Sequence, residues 1–288
     1  MIHLSLPLRP RINVRCESLL TPISISLAKE GKKILCLTDI KSTENFDISE
    51  KYVKVVSDKL ENFDLVIKDS DPKLINFTTK IISEKILPYV KKMNVRTCKC
   101  GSYEELENVN SFNLRKVKEN TCVLCGEILR EKNMEVLLSD ITWPKKENFS
   151  YNYNWSEYDF TNFLSRQKIT HKISKKNEVL KFSFNNLEFG IRYQVLWAAM
   201  IVYIAKIEND NDVTLHYVNK VQDKAFFVCS LVKMMNPDIN FHLKAIPVVW
   251  VEDSPLISNC LPSHIKLLGK AINTKRKELK VSLKSWRK

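Results

Sequence analysis

The chain has 288 residues, 44% of them hydrophobic, and a formal net charge of +13 at pH 7. This length is enough for a sizeable core in one large or two modest domains, and the apolar fraction excludes wholesale disorder. No uncharged apolar run reaches the roughly 18 residues that a membrane span needs. The composition therefore predicts a globular protein, and its opening "MIHLSLPL" is interpreted as a strand rather than a signal peptide.

The first ninety residues alternate between strand and helix patterns. The stretch "IHLSLPL" predicts a strand, "SLLTPISISLAKEG" a helix that ends at Gly31, and "KKILCLTDI" a buried strand. A helix over 49–60, a strand at "FDLVIKD" and a helical pattern over 71–93 that Pro88 kinks or closes are predicted to follow. Strand–helix–strand units of this kind build parallel sheets.

The second half of the sequence returns to the same pattern after a polar, aromatic stretch. Residues 191–207 predict a buried helix running into a strand, "DVTLHYV" a strand, "QDKAFFVCSLVKMM" a helix and "FHLKAIPVVWVED" a long strand. From His264 onward, apolar residues at spacings of three, four and seven predict one apolar face on an otherwise cationic helix. Because the α/β pattern stops and resumes, we expect one Rossmann-like parallel sheet split by an insertion.

This reading divides the chain into five segments. They are the first half of the Rossmann-like domain (1–94), a zinc-binding insertion (95–143), a polar aromatic and basic connector (144–180), the second half of the Rossmann-like domain (181–263) and a basic C-terminal helix (264–288).

Two short cysteine motifs, "TCKCGSY" and "TCVLCGE", lie in the predicted insertion and supply four thiolates, those of Cys98, Cys100, Cys122 and Cys125. A short turn presents two sulfurs to one side of a metal ion, and glycine behind each pair permits the backbone conformation of such a turn. Four thiolates close the coordination sphere, which predicts one structural zinc ion. A redox Cys-x-x-Cys motif and four unligated cysteines are the alternatives.

The other four cysteines, Cys16, Cys36, Cys229 and Cys260, stand singly in apolar sequence and are interpreted as core residues. Sparse cysteines grouped as metal ligands are typical of a reducing compartment. The sequence therefore predicts an intracellular protein, and the cytoplasm is the favoured location.

Positive charge is concentrated in two regions, the predicted connector and the C-terminal helix. Such concentrations favour a polyanionic partner, since phosphate neutralisation releases counterions. Aromatic side chains beside the first region would stack bases, although they could equally staple the connector. The alternatives are a solvated basic surface and, for the helix, a protein partner or, less favoured, attachment to an acidic lipid surface. The nucleic-acid candidates are Tyr151, Tyr153, Trp155, Arg166, Lys168, Lys172, Lys175, Lys176, Lys275, Arg276, Lys277, Lys280, Lys284 and Arg287.

Asp39 is the best single carboxylate for a ligand pocket. It follows a predicted parallel strand, and ligands bind beyond the carboxyl ends of such strands. An ordinary helix cap is the alternative. The five histidines show no metal-ligand spacing, and His216 and His242 are interpreted as packed strand residues.

Three stretches, in order, resemble class I aminoacyl-tRNA synthetases of the glutamyl and archaeal-type lysyl branches. They are "RPRINVRCESLLTPISISLAKEGKKILCLTDIKST", "LINFTTKIISEKILPYVKKMNVRTCKCGSYEELE" and "LEFGIRYQVLWAAMIVYIAKIENDNDVTLHYVNKVQDKAFFVCSLVKMMN". The resemblance implies a Rossmann-like sheet carrying a zinc-bearing insertion, and tRNA or another structured RNA as the partner.

The two ATP-binding signatures of that family are not recognisable here. The HIGH signature should fall near "RPRIN", where Asn13 is the remaining ligand-pocket candidate, and "SPLISN" replaces the KMSKS loop without a lysine. A loop without a cation cannot stabilise the charge of pyrophosphate. The resemblance therefore implies a catalytically degenerate, zinc-containing protein that keeps an RNA-binding surface and acts as an accessory or structural factor.

Two other functions stay open. A divergent, active aminoacyl-tRNA ligase or aminoacyl transferase would still use ATP through unorthodox residues. A zinc-stabilised DNA-binding or transcription factor would prefer duplex DNA to RNA.

Overall fold

The computed structural model describes most of the two predicted Rossmann-like halves and parts of the region between them. The described residues are 1–10, 15–38, 46–60, 63–85, 88, 90–97, 103–105, 127–128, 130–137, 149–151, 170–171, 181–184, 187–191, 193–218, 221–247 and 255–285.

The described strands are β1 (Ile2–Ser5), β2 (Lys32–Leu37), β3 (Leu65–Lys68), β4 (Val90–Thr97), β5 (Tyr103–Glu105), β6 (Arg130–Leu137), β7 (Phe149–Tyr151), β8 (Thr170–His171), β9 (Lys181–Phe184), β10 (Leu187–Ile191), β11 (Asp212–Val218) and β12 (Asn240–Ile246). The described α-helices are α1 (Leu20–Ser26), α2 (Phe46–Lys59), α3 (Pro72–Lys85), α4 (Tyr193–Glu208), α5 (Gln222–Met235) and α6 (Pro262–Ser285). Short 3-10 helices cover Cys16–Leu19 and Ile257–Asn259.

The main sheet has six strands in the order β3-β2-β1-β11-β12-β7. Every neighbouring pair in it is parallel. The order runs outward in one direction from β1 and in the other from β11, so the chain reverses its winding between these two central strands. This is the open, doubly wound arrangement whose ligand crevice lies at the carboxyl ends of the central strands. The predicted α/β class with a parallel sheet is confirmed.

Alternating side chains divide the core into two layers, one on each face of this sheet. Ile2 and Leu4 of β1 pack with helices α3, α4 and α5. On the opposite face, Leu35 and Leu37 of β2 pack with α1, α2 and α6. Helices therefore cover both faces, which explains why the central strands are largely apolar.

Two small antiparallel sheets come from the part of the chain between α3 and α4. One has the order β5-β4-β6 and the other β8-β10-β9. Strand β7, which lies in the predicted connector, joins the main sheet instead by pairing with β12.

Three predicted elements differ from those observed. The helical pattern predicted over 71–93, with Pro88 as its kink or its end, stops at Lys85, and Val90 begins β4 because it pairs with Leu137 of β6 far along the chain. Residues 193–208 stay helical throughout instead of running into a strand. The helix predicted to end at Gly31 ends at Ser26, and Gly31 instead occupies a turn with φ of +85°.

Among the described helices, none combines the length and apolar character needed to cross a membrane.

Candidate functional site

Polar residues line one face of the central strands, beneath α1 and α6. Ser5 of β1 lies opposite His216 of β11, and His216 lies opposite Lys244 of β12. His3 is two residues before Ser5 and therefore has the same orientation on β1. His3, Ser5 and His216 are all buried, whereas Lys244 is partly exposed. Thr214, opposite His3, extends this polar surface, so the covered face of the central strands is polar over two successive rows.

A chain of hydrogen bonds joins this row to both covering helices. His3 Nδ1 lies 3.0 Å from His216 Nε2, and Ser24 Oγ of α1 lies 2.7 Å from His216 Nδ1. Arg276 of α6 donates from Nη2 to Ser24 Oγ over 2.8 Å. We call His3 and His216 the histidine pair. Together with Ser24 and Arg276, the histidine pair forms one connected polar cluster that joins two strands and two helices.

The donors in the cluster fix a consistent set of tautomers. Because Arg276 can only donate, Ser24 Oγ accepts from it and its own hydroxyl proton is free to go to His216 Nδ1. His216 then carries its proton on Nε2 and donates to His3 Nδ1. His3 keeps its proton on Nε2, which is buried and has no hydrogen-bond partner among the described residues. Both rings are therefore neutral in this arrangement.

Burial and neighbouring cations keep the histidine pair neutral. Desolvation is the main cause that lowers the pKa of His3, followed by the charge of Lys244. The pKa of His216 lies well below its ordinary value, chiefly through desolvation and then through the charges of Lys244, His3 and Arg276. In the structure, Lys244 lies opposite His216 on the neighbouring strand, and Arg276 is joined to His216 through Ser24.

Arg276 faces inward, unlike the exposed Lys266, Lys270, Lys275 and Lys277 of the same helix. It follows buried Ile272 by four positions and buried Leu268 by eight, so it continues the packed face of the helix. Burial lowers its pKa, and its Nε is buried without a hydrogen-bond partner. Among the described residues no carboxylate pairs with Arg276. The prediction placed Arg276 on the exposed cationic face; its partly buried position corrects this.

The Ser24–His216 contact is not a nucleophile–base pair open to substrate. Ser24 and His216 are each 0% exposed, so a reacting carbonyl or phosphoryl group has no access to the hydroxyl. The cluster can instead orient the Arg276 guanidinium, and its positive charge can attract an anion.

The segments after β1 and β12 meet directly at the carboxyl edge of the sheet. Arg15 forms an antiparallel bridge with Leu256, and the Cys16 amide donates to the Pro255 carbonyl over 2.9 Å. Cys16 and Cys260 form a disulfide with their Cα atoms 6.1 Å apart. The two were expected to be separate core residues; they are buried, and they are joined to each other.

Buried polar side chains also end β2 and β3 at this edge. Thr38 follows β2 and is 4% exposed, and Asp69 follows β3 and is 0% exposed. The Thr38 amide donates to the Leu8 carbonyl and the Asp69 amide to the Leu37 carbonyl. Asp69 is thus a carboxylate at a strand end of the kind expected for Asp39.

Most residues predicted from sequence to bind ligands lie outside the described part of the chain, so their roles stay predictions. These are Asn13, Asp39, Cys98, Cys100, Cys122, Cys125, Tyr153, Trp155, Arg166, Lys168, Lys172, Lys175, Lys176 and Arg287.

The other predicted residues fall in two places. Tyr151 lies in β7 opposite Leu243 of the main sheet. Lys275 and Lys277 are exposed on α6, and the backbone at Lys280 and Lys284 continues the same helix. The structure therefore places the α6 residues together and Tyr151 on a different element.

The flanks of the two cysteine motifs converge on one end of the β5-β4-β6 sheet. Thr97, directly before Cys98, pairs with Tyr103 on one side and with Arg130 on the other. The 98–102 connection therefore begins at Thr97, and the segment after Cys125 ends at Arg130, the residue paired with Thr97.

Sequence reasoning missed Ser24, His3 and the inward position of Arg276. Ser24 and His3 were hidden because their partner His216 is 192 and 213 residues away along the chain. Arg276 carried a usable signal, since it is four residues after apolar Ile272 and so lies on the apolar face of an ideal helix.

A scan against models of known protein families gave no match, and a search of curated proteins found no similar sequence. Function is therefore inferred from the chain's own residues.

Proposed function

We propose that this chain is a zinc-containing, class I synthetase-like RNA-binding protein that lacks aminoacylation activity and serves as an accessory or structural factor in an RNA-handling complex. One observation carries the proposal: the outer face of α6 is cationic. Lys266, Lys270, Lys275 and Lys277 are exposed on this helix. From 262 to 277 the sequence has five Lys or Arg residues and no Asp or Glu.

A cationic helix face favours a polyanionic partner. Each phosphate that a lysine neutralises releases condensed counterions, so affinity falls steeply with salt. Four such contacts give a log–log salt slope of about −3 to −4. RNA is preferred to DNA because of the resemblance to class I synthetases, whose partner is tRNA.

The doubly wound sheet order and the place of the intervening segment support the synthetase-like part of the proposal. Both small antiparallel sheets come from the chain between α3 and α4, where the resemblance expects an insertion. The loss of catalysis is supported by the carboxyl edge. The segments expected to hold ATP bond to each other through the Arg15–Leu256 bridge and the Cys16–Cys260 disulfide.

Zinc is supported by the register of the β5-β4-β6 sheet. Thr97 pairs with both Tyr103 and Arg130, so the residues that flank the two cysteine motifs lie at neighbouring positions of this sheet. Cys98, Cys100, Cys122 and Cys125 would hold the ion as four thiolates, and such a closed site would stabilise the insertion without taking part in chemistry.

The decisive experiment measures RNA binding by the full chain at low and moderate salt. We expect Lys266→Gln/Lys270→Gln to weaken binding to tRNA by about tenfold at 0.1 M salt. The matched control is Lys73→Gln/Lys80→Gln, which removes the same charge from exposed positions on α3, on the opposite face of the sheet. Equal loss in both variants, or no tRNA binding at low salt, rejects the proposal.

Three further measurements separate the alternatives. Amino-acid-dependent ATP–pyrophosphate exchange would identify an active ligase instead. Tighter binding to duplex DNA than to tRNA would identify a DNA-binding factor. Elemental analysis should find one zinc per chain, and its absence from carefully purified protein would refute the zinc site.

A further inference from the structure

We propose that the outer face of α6 binds the phosphate backbone of double-stranded RNA, without regard to base sequence, through one straight row of side chains. The row consists of Lys266, Lys270, Asn273 and Lys277, and we call it the lysine row. Such binding rests on the proposed RNA-binding function and narrows it, because it commits the helix to duplex segments rather than to loops or single strands.

The spacing of the lysine row defines a single line along the helix. Its members follow one another at intervals of four, three and four residues. In a helix with 3.6 residues per turn, this spacing brings them within about 60° of one another around the axis. All four are exposed. With a rise of about 1.5 Å per residue, the row from Lys266 to Lys277 is about 16 Å long.

The opposite side of α6 is packed against the rest of the protein. Leu268 is 2% and Ile272 is 0% exposed, and both belong to the core layer that contains residues of α1 and α2. Arg276 adds a hydrogen bond of 2.8 Å from Nη2 to Ser24 Oγ of α1. The helix is therefore held in place, and the lysine row lies on its solvent side in a fixed arrangement.

The cations of the row can contact phosphates but are poorly suited to reading bases. A lysine binds phosphate as a point charge, whereas arginine makes the bidentate contact that recognises guanine. The only arginine between 262 and 277 is Arg276, which is turned inward to Ser24. Contacts with phosphate carry no sequence information by themselves. Binding through the lysine row should therefore be insensitive to base sequence.

A fixed row of charges favours a duplex over a single strand. Double-stranded nucleic acid carries on the order of one phosphate charge per 1.7 Å of its axis, so about ten phosphates lie along a row of this length. A single strand would lose conformational freedom on the row, and proteins usually offset that cost by stacking bases on aromatic side chains. The stretch 262–277 of α6 contains no Phe, Tyr or Trp. Double-stranded RNA, by contrast, is recognised mostly through its shape and backbone.

Fluorescence anisotropy of three labelled probes, titrated with the full chain, tests this preference. The probes are an RNA duplex of about 16 base pairs, one of its single strands, and a second duplex of shuffled sequence. We expect the first duplex to bind at least about tenfold more tightly than the single strand. The two duplexes should bind within about twofold of each other, because only backbone contacts are made.

The salt dependence of duplex binding separates the lysine row from a diffuse attraction. Lys270→Gln removes one phosphate contact and should reduce the slope of log Kd against log salt by about 1. The matched control is Lys275→Gln, which removes the same charge from an exposed position of α6 about half a turn around the helix from the row. It should change the slope by less than about 0.3. Equal changes in both variants would overturn the row.

The outcomes distinguish this inference from the function on which it rests. A single strand that binds as tightly as the duplex would reject the inference and leave the RNA-binding function standing. Failure of tRNA and of all three probes to bind at low salt would reject both. Polyglutamate that displaces the duplex at equal charge concentration would identify an acidic protein surface as the partner and overturn the inference, and so would tighter binding of duplex DNA than of duplex RNA.

Discussion

Replacing Ser24 by alanine should uncouple α1 and α6 from the sheet. The hydroxyl is 0% exposed and makes two hydrogen bonds, of 2.7 Å with His216 Nδ1 and 2.8 Å with Arg276 Nη2. Ser24→Ala leaves a buried ring nitrogen without a partner and removes the hydrogen bond of a charged group. Each loss costs about 1–3 kcal/mol, so we expect the free energy of unfolding to fall by about 2–6 kcal/mol.

The measurement is urea unfolding of the full chain at pH 7.5, followed by the loss of helix signal. The matched control is Ser230→Ala, because Ser230 is also 0% exposed but, among the described residues, donates to the Phe226 carbonyl of its own helix. That change should stay within about 0.5 kcal/mol, since a hydroxyl that bonds back to its own helix stabilises little.

A double-mutant cycle isolates the Ser24–Arg276 hydrogen bond. Combining Ser24→Ala with Arg276→Met should give a coupling energy of about 1 kcal/mol, because the two groups touch directly. A loss for Ser24→Ala no larger than that for Ser230→Ala, together with zero coupling, would refute the connected cluster.

Three other outcomes follow from the same structure. The pKa values of the histidine pair are lowered in the folded state, so the unfolded chain binds more protons than the folded chain below about pH 6.5. Between pH 6.5 and pH 5 each of the two histidines should therefore lower the free energy of unfolding by up to about 1.4 kcal/mol per pH unit, as measured by urea unfolding. Gly31→Ala should destabilise the protein by more than about 1 kcal/mol, because φ is +85° and the new Cβ would lie 2.5 Å from the Met1 carbonyl oxygen. Gly269→Ala has room for the Cβ within its helix and should stabilise the protein by about 0.5–1 kcal/mol. Thermal melts of the two variants test both expectations. Cys16→Ser breaks the disulfide with Cys260 and should lower the free energy of unfolding by about 2–5 kcal/mol. Thiol titration of the denatured wild type, with a chelator present, should find two fewer thiols than the eight cysteines of the sequence. Eight free thiols would contradict the disulfide.

Local patterns in the sequence were sufficient where the neighbours along the chain decide the structure. The helix predicted from "QDKAFFVCSLVKMM" coincides with α5, and "DVTLHYV" coincides with β11. Both are bounded by polar residues and have an unambiguous apolar period. The predicted class of fold followed from these elements, because strand–helix–strand units pack as parallel sheets.

Local patterns failed where distant pairing decides the structure. Val90 fits a helical period from α3, but it forms β4 because residues more than forty positions away supply its partner strand. His242 was expected to be packed like His216, yet it is exposed. The difference is that β11 is central and covered by helices, whereas β12 is open near His242. The cluster of Ser24, Arg276 and the histidine pair depends on such distant contacts throughout.

The central place of β1 has a consequence for synthesis on the ribosome. Ile2 of β1 pairs with Lys32 of β2, which follows it closely along the chain, but its partner on the other side is Val213 of β11. Until that distant stretch emerges, one side of the first strand exposes unpaired amides and carbonyls that another nascent chain can bind. A chaperone that shields this side during elongation should therefore raise the yield of native protein more than one supplied after release.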